Sequence, residues 1–502
     1  MKGSLSQRLK RLDEICTPYA LEILATCGVV SFIIYLRLIV EPARLVDWYT
    51  RPLLDYSTIT NTDPWKASQL FLYFLAVGAI YLIGWWAVKR EQGWKAWTLV
   101  IFWMIAFGGA FLLQYPYGAS DIFENILRGR IQGVYAMNPF FYAGEEVPND
   151  PFFPYTFWRT QPAVYGPLWE MIAGLVVHLT GDGIIANVIG FKLISGMFMG
   201  GSVWMVALIL KKMAPERALP GVLLLAWNPM MLYETFGNGH NDLAMVFWML
   251  VAVLALVHRR YAGMILALAA GILVKYIPAL LLPAAGLIAL RDLPNWKKRI
   301  RFVLTVAVGS ILLAGLAYLP YWDGWTTIGM TRLTGMMSNS LPNMFYRLLE
   351  PLMGWKKSGF VVTTSATGMT VLFAFVRGWL AFKDRSWLSF PFAGFDILAF
   401  YLLVGCTWLQ VWYVAWLFPF AVLFPNGERL WLGLIFSFSA LFKPLVMRPV
   451  FTWKNRTPDR FFRELRLMVG FWGFPAIYAA VAMLRQARMK RLKKRESHTE
   501  QT

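Results

Sequence analysis

The sequence predicts an all-α, polytopic membrane protein, and three observations carry that expectation. The chain is 58% hydrophobic and only 15% charged over its 502 residues. Apolar runs long enough to cross a bilayer, which takes about 20 helical residues, recur from end to end. The net charge of +20 gathers in the termini and short loops, as cytoplasmic anchoring by Lys and Arg requires, so no nucleic-acid partner is expected. The count comes to about 13–15 membrane helices with a large outer loop after the third. Membrane lipids are the expected surroundings. Cys16, Cys27 and Cys406 are the full cysteine complement, two of them in apolar runs, and no structural disulfide is implied.

Residues 1–18 carry Lys2, Arg8, Lys10 and Arg11 and read as a cytoplasmic segment. The run 19–40 is too long for a cleaved signal sequence and reads as the first span. A second span near 67–88 ends at Lys89-Arg90, and a third near 96–113 delivers the chain to the outside. After the loop, runs near 165–180 and 184–210 must make one net crossing if the later basic clusters are to lie inside, so one of the two is expected to be partial or steeply tilted. Further spans are predicted near 218–236, 242–257, 262–274, 277–290, 302–320, 360–381, 396–410, 412–424, 430–447 and 468–484. Residues 19–484 form a single membrane domain with no internal repeat, and 485–502 form a basic cytoplasmic tail. The stretch Arg448 to Arg466 falls outside despite its arginines.

The loop, residues 114–164, is the element that invites a function, because long loops in compact proteins tend to carry one. It opens with Asp121 and Glu124, carries Arg128 and Arg130, passes Asn138-Pro139 and ends against Tyr165-Gly166-Pro167. Three other polar groups fall on the same outer side. Glu234 and Asn238-Gly239-His240-Asn241-Asp242 interrupt two apolar runs, where unpartnered polar groups are costly. Helix capping accounts for one of these residues but not all of them, and together they offer donors and acceptors to a hydroxyl-rich or phosphate ligand. Lys275 sits just before the helix-breaking Pro278, placed either to meet a lipid phosphate or to snorkel to the interface. Gln410, Trp412, Tyr413 and Trp416 tip another short hairpin, as interfacial anchors or as platforms for sugar faces; the sequence does not separate these.

The order Asp121, Gly129-Arg130, Gly133, Asn138-Pro139-Phe140, Tyr165-Gly166-Pro167-Leu168 resembles the first outer loop of the GT-C polyprenyl-phosphate-sugar glycosyltransferases. The nearest group is the α-mannosyltransferases that use polyprenyl-phosphate mannose. Asn228-Pro229 followed by Gly239-His240-Asn241-Asp242 is similar to a second signature of that group, and Lys275 with Pro278 fits the helix pair after it. The match runs over roughly 115–285, and Asn125 departs from the Tyr often found there.

The resemblance implies an enzyme that moves a sugar, mannose in the nearest group, from a polyprenyl-phosphate donor to a hydroxyl of a glycan or lipid-linked acceptor. Such a reaction needs a general base for the hydroxyl and positive charge for the departing phosphate. Asp121 is the candidate base. Glu124, one turn on, either orients it or holds a divalent cation with it; that ion is the one cofactor candidate. Arg128, Arg130 and Lys275 are candidates for the phosphate. Asn138, Tyr165, Asn238, His240, Asn241, Asp242, Trp412 and Tyr413 are candidates for substrate contact. The implied setting is the plasma membrane, with the site outside and both termini inside. A flippase for lipid-linked sugars is the alternative, but it calls for polar residues through the membrane depth, whereas these gather on one face. An assembly partner within a membrane complex would need no acid and base at all.

Overall fold

The protein, seen in a computed structural model, is described over residues 5–328, 336–424, 427–450 and 460–499. Among these residues all regular structure is helical, and the extended contacts are two isolated bridges, Arg44 with Gln114 and Ser338 with Trp408. Eight helices are long and apolar enough to cross a membrane, and five shorter apolar helices pack among them. The all-α, multi-pass reading is met. Part of the predicted outer stretch from Arg448 to Arg466, and the last residues of the predicted basic tail, lie outside the described residues.

Helix α1 (Leu5–Cys16) leads into α2 (Ala20–Ile33), which continues with widened turns through Val40. Helices α3 (Pro64–Val88) and α4 (Trp94–Leu112) complete the first group of spans. Ala43 and Leu113 then accept from the backbone of Tyr115 and Leu45, which binds the tops of these spans together. The loop is no solvated connector. It contains α5 (Asp121–Gly133), whose residues from Ile122 to Ile131 are all buried.

Helix α6 (Pro167–Thr180) has 14 residues, about 21 Å, against a hydrocarbon core of about 30 Å. It is the partial element expected between 165 and 210. Its partner α7 (Ile184–Met213) has 30 residues and is long and apolar enough to cross fully. The predicted span 218–236 is corrected: α8 (Ala218–Ala226) stops at Trp227, where Asn228 caps a new turn by accepting from Met230 and Met231. Helices α9 (Asp242–Val257) and α10 (Tyr261–Ile272) are also short and mostly buried; they pack closely on each other, and α9 packs on α7. The predicted span 412–424 is likewise not continuous; it is a 3-10 turn, Val411–Trp416, followed by the single turn Phe418–Ala421.

These broken helices sit inside a ring that faces lipid. Helix α11 (Leu282–Asp292) leads to α12 (Trp296–Tyr318), of which Ile311, Leu312 and Leu316 are 70%, 59% and 67% exposed. Helix α13 (Leu341–Met353) precedes α14 (Trp355–Lys383), which also presents a largely apolar exposed face. A helix apolar on its outside is stable only against hydrocarbon or protein. Helices α15 (Ser389–Phe400), α16 (Glu428–Phe442) and α17 (Arg460–Thr499) close the bundle.

Helix α5 packs on α6 at Gly129, where an added Cβ would stand 2.6 Å from the Ala173 carbonyl oxygen. That neighbour is backbone and cannot turn away. Gly129→Ala should therefore lower the unfolding temperature of the detergent-solubilised protein, as overpacking of about 1–3 kcal/mol does. Gly109→Ala, where nothing lies within 4 Å, should leave it unchanged or raise it. Equal behaviour of the two variants would contradict the close α5–α6 contact.

Candidate active site

Asp121 is the first residue of α5, and Glu124 and Arg128 follow at i+3 and i+7. At about 100° per residue the three share one face of the helix. That face borders a cavity of about 350 Å³, within the size range of small-ligand sites. Arg130, nine residues from Asp121, projects about 180° away. Its Nε lies 2.7 Å from Asp150 Oδ2 and its Nη1 2.7 Å from Asp182 Oδ1, and its guanidinium lies over Phe152. The structure thus brings Arg128, not Arg130, to the cavity.

Seven of the sequence-predicted residues line that cavity: Asp121, Glu124, Arg128, Tyr165, Lys275, Trp412 and Tyr413. Four more stand behind it. His240 lies between two acids, with Nδ1 3.0 Å from Glu234 Oε2 and Nε2 3.9 Å from Asp121 Oδ2, and its ring stacks on Trp412 at 4.0 Å. Asn238 donates to Glu234 Oε2 at 2.8 Å and accepts from the Gly118 N–H, which ties the start of the loop to this cluster. Asp242 accepts from Lys275 Nζ at 2.7 Å and from Trp416 Nε1 at 2.5 Å. Asn241 is buried, and its Nδ2 has no partner among the described residues. Asn138 does not join them. Its side chain donates to the Tyr321 carbonyl and accepts from the Phe140 N–H, as an Asn before Pro does in a turn.

The loop closes over the cavity through Glu124, whose Oε1 accepts from the Phe157 and Trp158 N–H groups at 2.6 and 2.8 Å. Trp158 is held there as part of the wall, against Trp408. On the other side Gly166 donates to Val274 and Leu168 to Leu273, which holds the Lys275 tip beside Tyr165. A Cβ at Gly166 would meet the Leu273 carbonyl oxygen at 2.2 Å, so the Tyr165-Gly166-Pro167 sequence is the one that lets these strands of backbone touch. The Asn125 departure is absorbed locally, since Asn125 Oδ1 accepts from Trp169 Nε1 at 3.0 Å.

Trp158, Gln161, Tyr401 and Trp408 also line the cavity and were not singled out by the sequence. Trp158 lies within the predicted loop, but nothing local distinguishes it from an exposed aromatic. Trp408 follows the break at Cys406-Thr407, and that break was the available signal.

The charge balance distinguishes the two cations. Lys275 is neutralised by Asp242. Arg128 has no carboxylate within ion-pairing distance among the described residues, and its buried Nε has no partner. Burial raises the Asp121 pKa above the ordinary carboxylate range, with Asp242 adding to the rise and His240, Lys275 and Arg128 opposing it. Burial likewise raises Glu124, against Arg128 and its two backbone donors. For His240 burial disfavours the imidazolium, but Glu234, then Asp121 and Asp242, overcome it and the pKa rises. Among the described residues no group of three or more His, Cys, Asp or Glu side chains is gathered to hold a metal ion.

The fold is a multi-pass membrane one, and its cavity sets a carboxylate and a guanidinium without an acid partner among largely apolar, aromatic walls. Residues 38–291, just over half of the chain, match the family described as alpha-(1->6)-mannopyranosyltransferase, N-terminal domain (MptA_B family), and the chain belongs to that family. It is similar to alpha-(1->6)-mannopyranosyltransferase A of Corynebacterium glutamicum, at 23% identity over 171 residues, which cover 32% of this chain and 35% of that protein. The chain thus spans about a third of the length of the curated relative it matches. No solved structure matches the chain.

Arg130 and Asp150 are both almost fully buried, so breaking the pair leaves an uncompensated charge. Arg130→Ala should cost roughly 3–5 kcal/mol of stability, read as a large fall in unfolding temperature, whereas Arg128→Ala at the cavity edge should cost much less. A wild-type unfolding temperature for Arg130→Ala would return Arg130 to the list of ligand-binding candidates.

Proposed function

We propose that the protein is a mannosyltransferase that moves mannose from a polyprenyl-phosphate donor to a hydroxyl of a glycan or lipid-linked acceptor on the non-cytoplasmic side. The observation that carries this is the shared face of α5, where Asp121 and Arg128 address one cavity from consecutive turns. Asp121 takes the proton of the acceptor hydroxyl while the new C1–O bond forms and the bond from C1 to the phosphate oxygen breaks. The phosphate leaves with the bonding pair, and its charge is met by Arg128 and, through the Asp242 pair, by Lys275. His240, backed by Glu234, favours the ionised form of Asp121. Trp158, Trp408, Trp412 and Tyr413 offer flat faces for sugar rings. Family membership supports a glycosyltransferase, and the name of the corynebacterial relative supports mannose.

Asp121→Asn keeps the shape of the side chain and removes the basic oxygen. Mannose transfer by the purified protein from polyprenyl-phosphate mannose should fall by roughly two to four orders of magnitude. A group whose folded pKa is raised is favoured protonated in the fold and costs stability as pH rises through that pKa. The variant should therefore unfold no earlier than wild type at neutral pH. The wild-type rate should run the other way, falling as pH drops through the raised Asp121 pKa. Arg128→Ala should raise the apparent donor KM with little change for the acceptor. Near wild-type transfer by Asp121→Asn would remove Asp121 as the base.

The side of the membrane is tested by labelling. Glu145 lies in the loop and Lys297 at the start of α12, and both are exposed. In a Cys16→Ser background, a cysteine at position 145 should react with an impermeant thiol reagent added to intact cells, and one at 297 should not. Labelling at 297 but not at 145 would invert the proposed orientation.

A further inference from the structure

A second cavity, of about 690 Å³, opens at the junction of α1, the first turns of α2 and the end of α3. Helix α4, 19 residues or about 28 Å long, separates that end of the bundle from the Asp121 end. The cavity is therefore distinct from the candidate active site and lies a membrane thickness from it.

Its rim is polar and its wall apolar. Asp13 of α1 accepts from Trp86 Nε1 at 2.8 Å and pairs with Arg90, whose guanidinium lies over the Trp86 ring at 4.5 Å. These contacts clamp α1 to the end of α3. One turn before Asp13, Lys10 is exposed and has no carboxylate partner among the described residues. Two cations and one acid on the rim leave a net positive charge. Below them Ile23, Leu82 and Ile83 form an aliphatic wall. Ile83 is 48% exposed, and on α1 Leu12 and Ile15 are 56% and 55% exposed, so the cavity opens sideways to hydrocarbon rather than only to water. A helix that carries cations on one side and exposed Leu and Ile on the other lies in the interface of a bilayer.

We propose that this cavity binds one anionic glycerophospholipid of the adjoining leaflet. The headgroup phosphate meets Lys10 and Arg90 at the rim, and an acyl chain runs along Ile23, Leu82 and Ile83. An ordinary soluble anion would use the rim and leave the aliphatic wall unfilled; a zwitterionic lipid would leave the surplus charge unmatched. Asp13 sets the rim by holding Arg90 beside Trp86, and Lys10 supplies the charge that selects the anion.

Native mass spectrometry of the full-length protein, given equal amounts of phosphatidylglycerol and phosphatidylcholine, tests this. Wild type should retain one phosphatidylglycerol in preference to phosphatidylcholine. Removing one interfacial cation should weaken that retention roughly fivefold in Lys10→Ala, more in Lys10→Glu, and Lys10→Arg should restore it. Ile83→Ala should also weaken it, because the acyl chain loses part of its wall. Since Lys10 is exposed and Ile83 is half exposed, these variants keep close to the wild-type unfolding temperature. Equal retention of the two lipids, unchanged retention in Lys10→Glu, or displacement of phosphatidylglycerol by millimolar inorganic phosphate would each overturn the proposal.

Discussion

The Asp242 carboxylate is the interaction on which the candidate site depends. It opens α9, and one of its oxygens receives both Lys275, 33 residues away, and Trp416, 174 residues away. Three separate breaks in the membrane helices thereby meet at a single atom. None of them could be left bare, since an unpaired ammonium or carboxylate at this depth costs several kcal/mol. The pairing makes the breaks tolerable, and the breaks make the cavity. Backbone that leaves the helix at membrane depth must be buried in protein or line a polar space. Short helices α8, α9 and α10 satisfy that rule by sitting largely buried behind outer helices such as α12 and α14.

The same logic explains which parts of the site could be read in the sequence. Asp121 follows the third apolar run, so its place at the membrane edge was visible from span length alone. Pro278 after Lys275 announced a break, and the polar run through Asp242 was too dense to be capping. Helix geometry separates the two arginines of α5. Counting about 100° per residue from Asp121 sends Arg128 back to the same face and Arg130 to the opposite one, and Asp150 and Asp182 then claim it. Asn138 is engaged in a similar way, because an Asn before Pro serves the turn first. Trp158 and Trp408 could not be read at all, because their placement depends on Glu124 holding the loop backbone and on a bridge between Ser338 and Trp408. Such contacts join residues far apart in the chain and leave no local pattern. The fold was more legible than the site for the same physical reason: hydrophobic length is written locally, whereas convergence is not. At 218–236 and 412–424 the apolar run has spanning length, but Pro229 and Pro419 interrupt it and start new turns.

Charge conservation within the cavity is the last step. Arg128, Lys275 and His240 face Asp121, Glu124, Glu234 and Asp242, and the buried Glu170 adds a further acid near Arg128, so acids outnumber cations there and Arg128 is the least engaged of the cations. In the proposed reaction the acceptor proton neutralises Asp121 at the moment the departing phosphate gains a negative charge. The total charge of the site does not change; it moves from the carboxylate toward Arg128. Moving charge over a short distance in a low-dielectric cavity costs far less than creating it there. It also gives a physical role to the pKa shift of Asp121. In the proposed role a carboxylate in water would be a weak base for a sugar hydroxyl; burial raises the proton affinity of Asp121, and the neighbouring His240 opposes that rise.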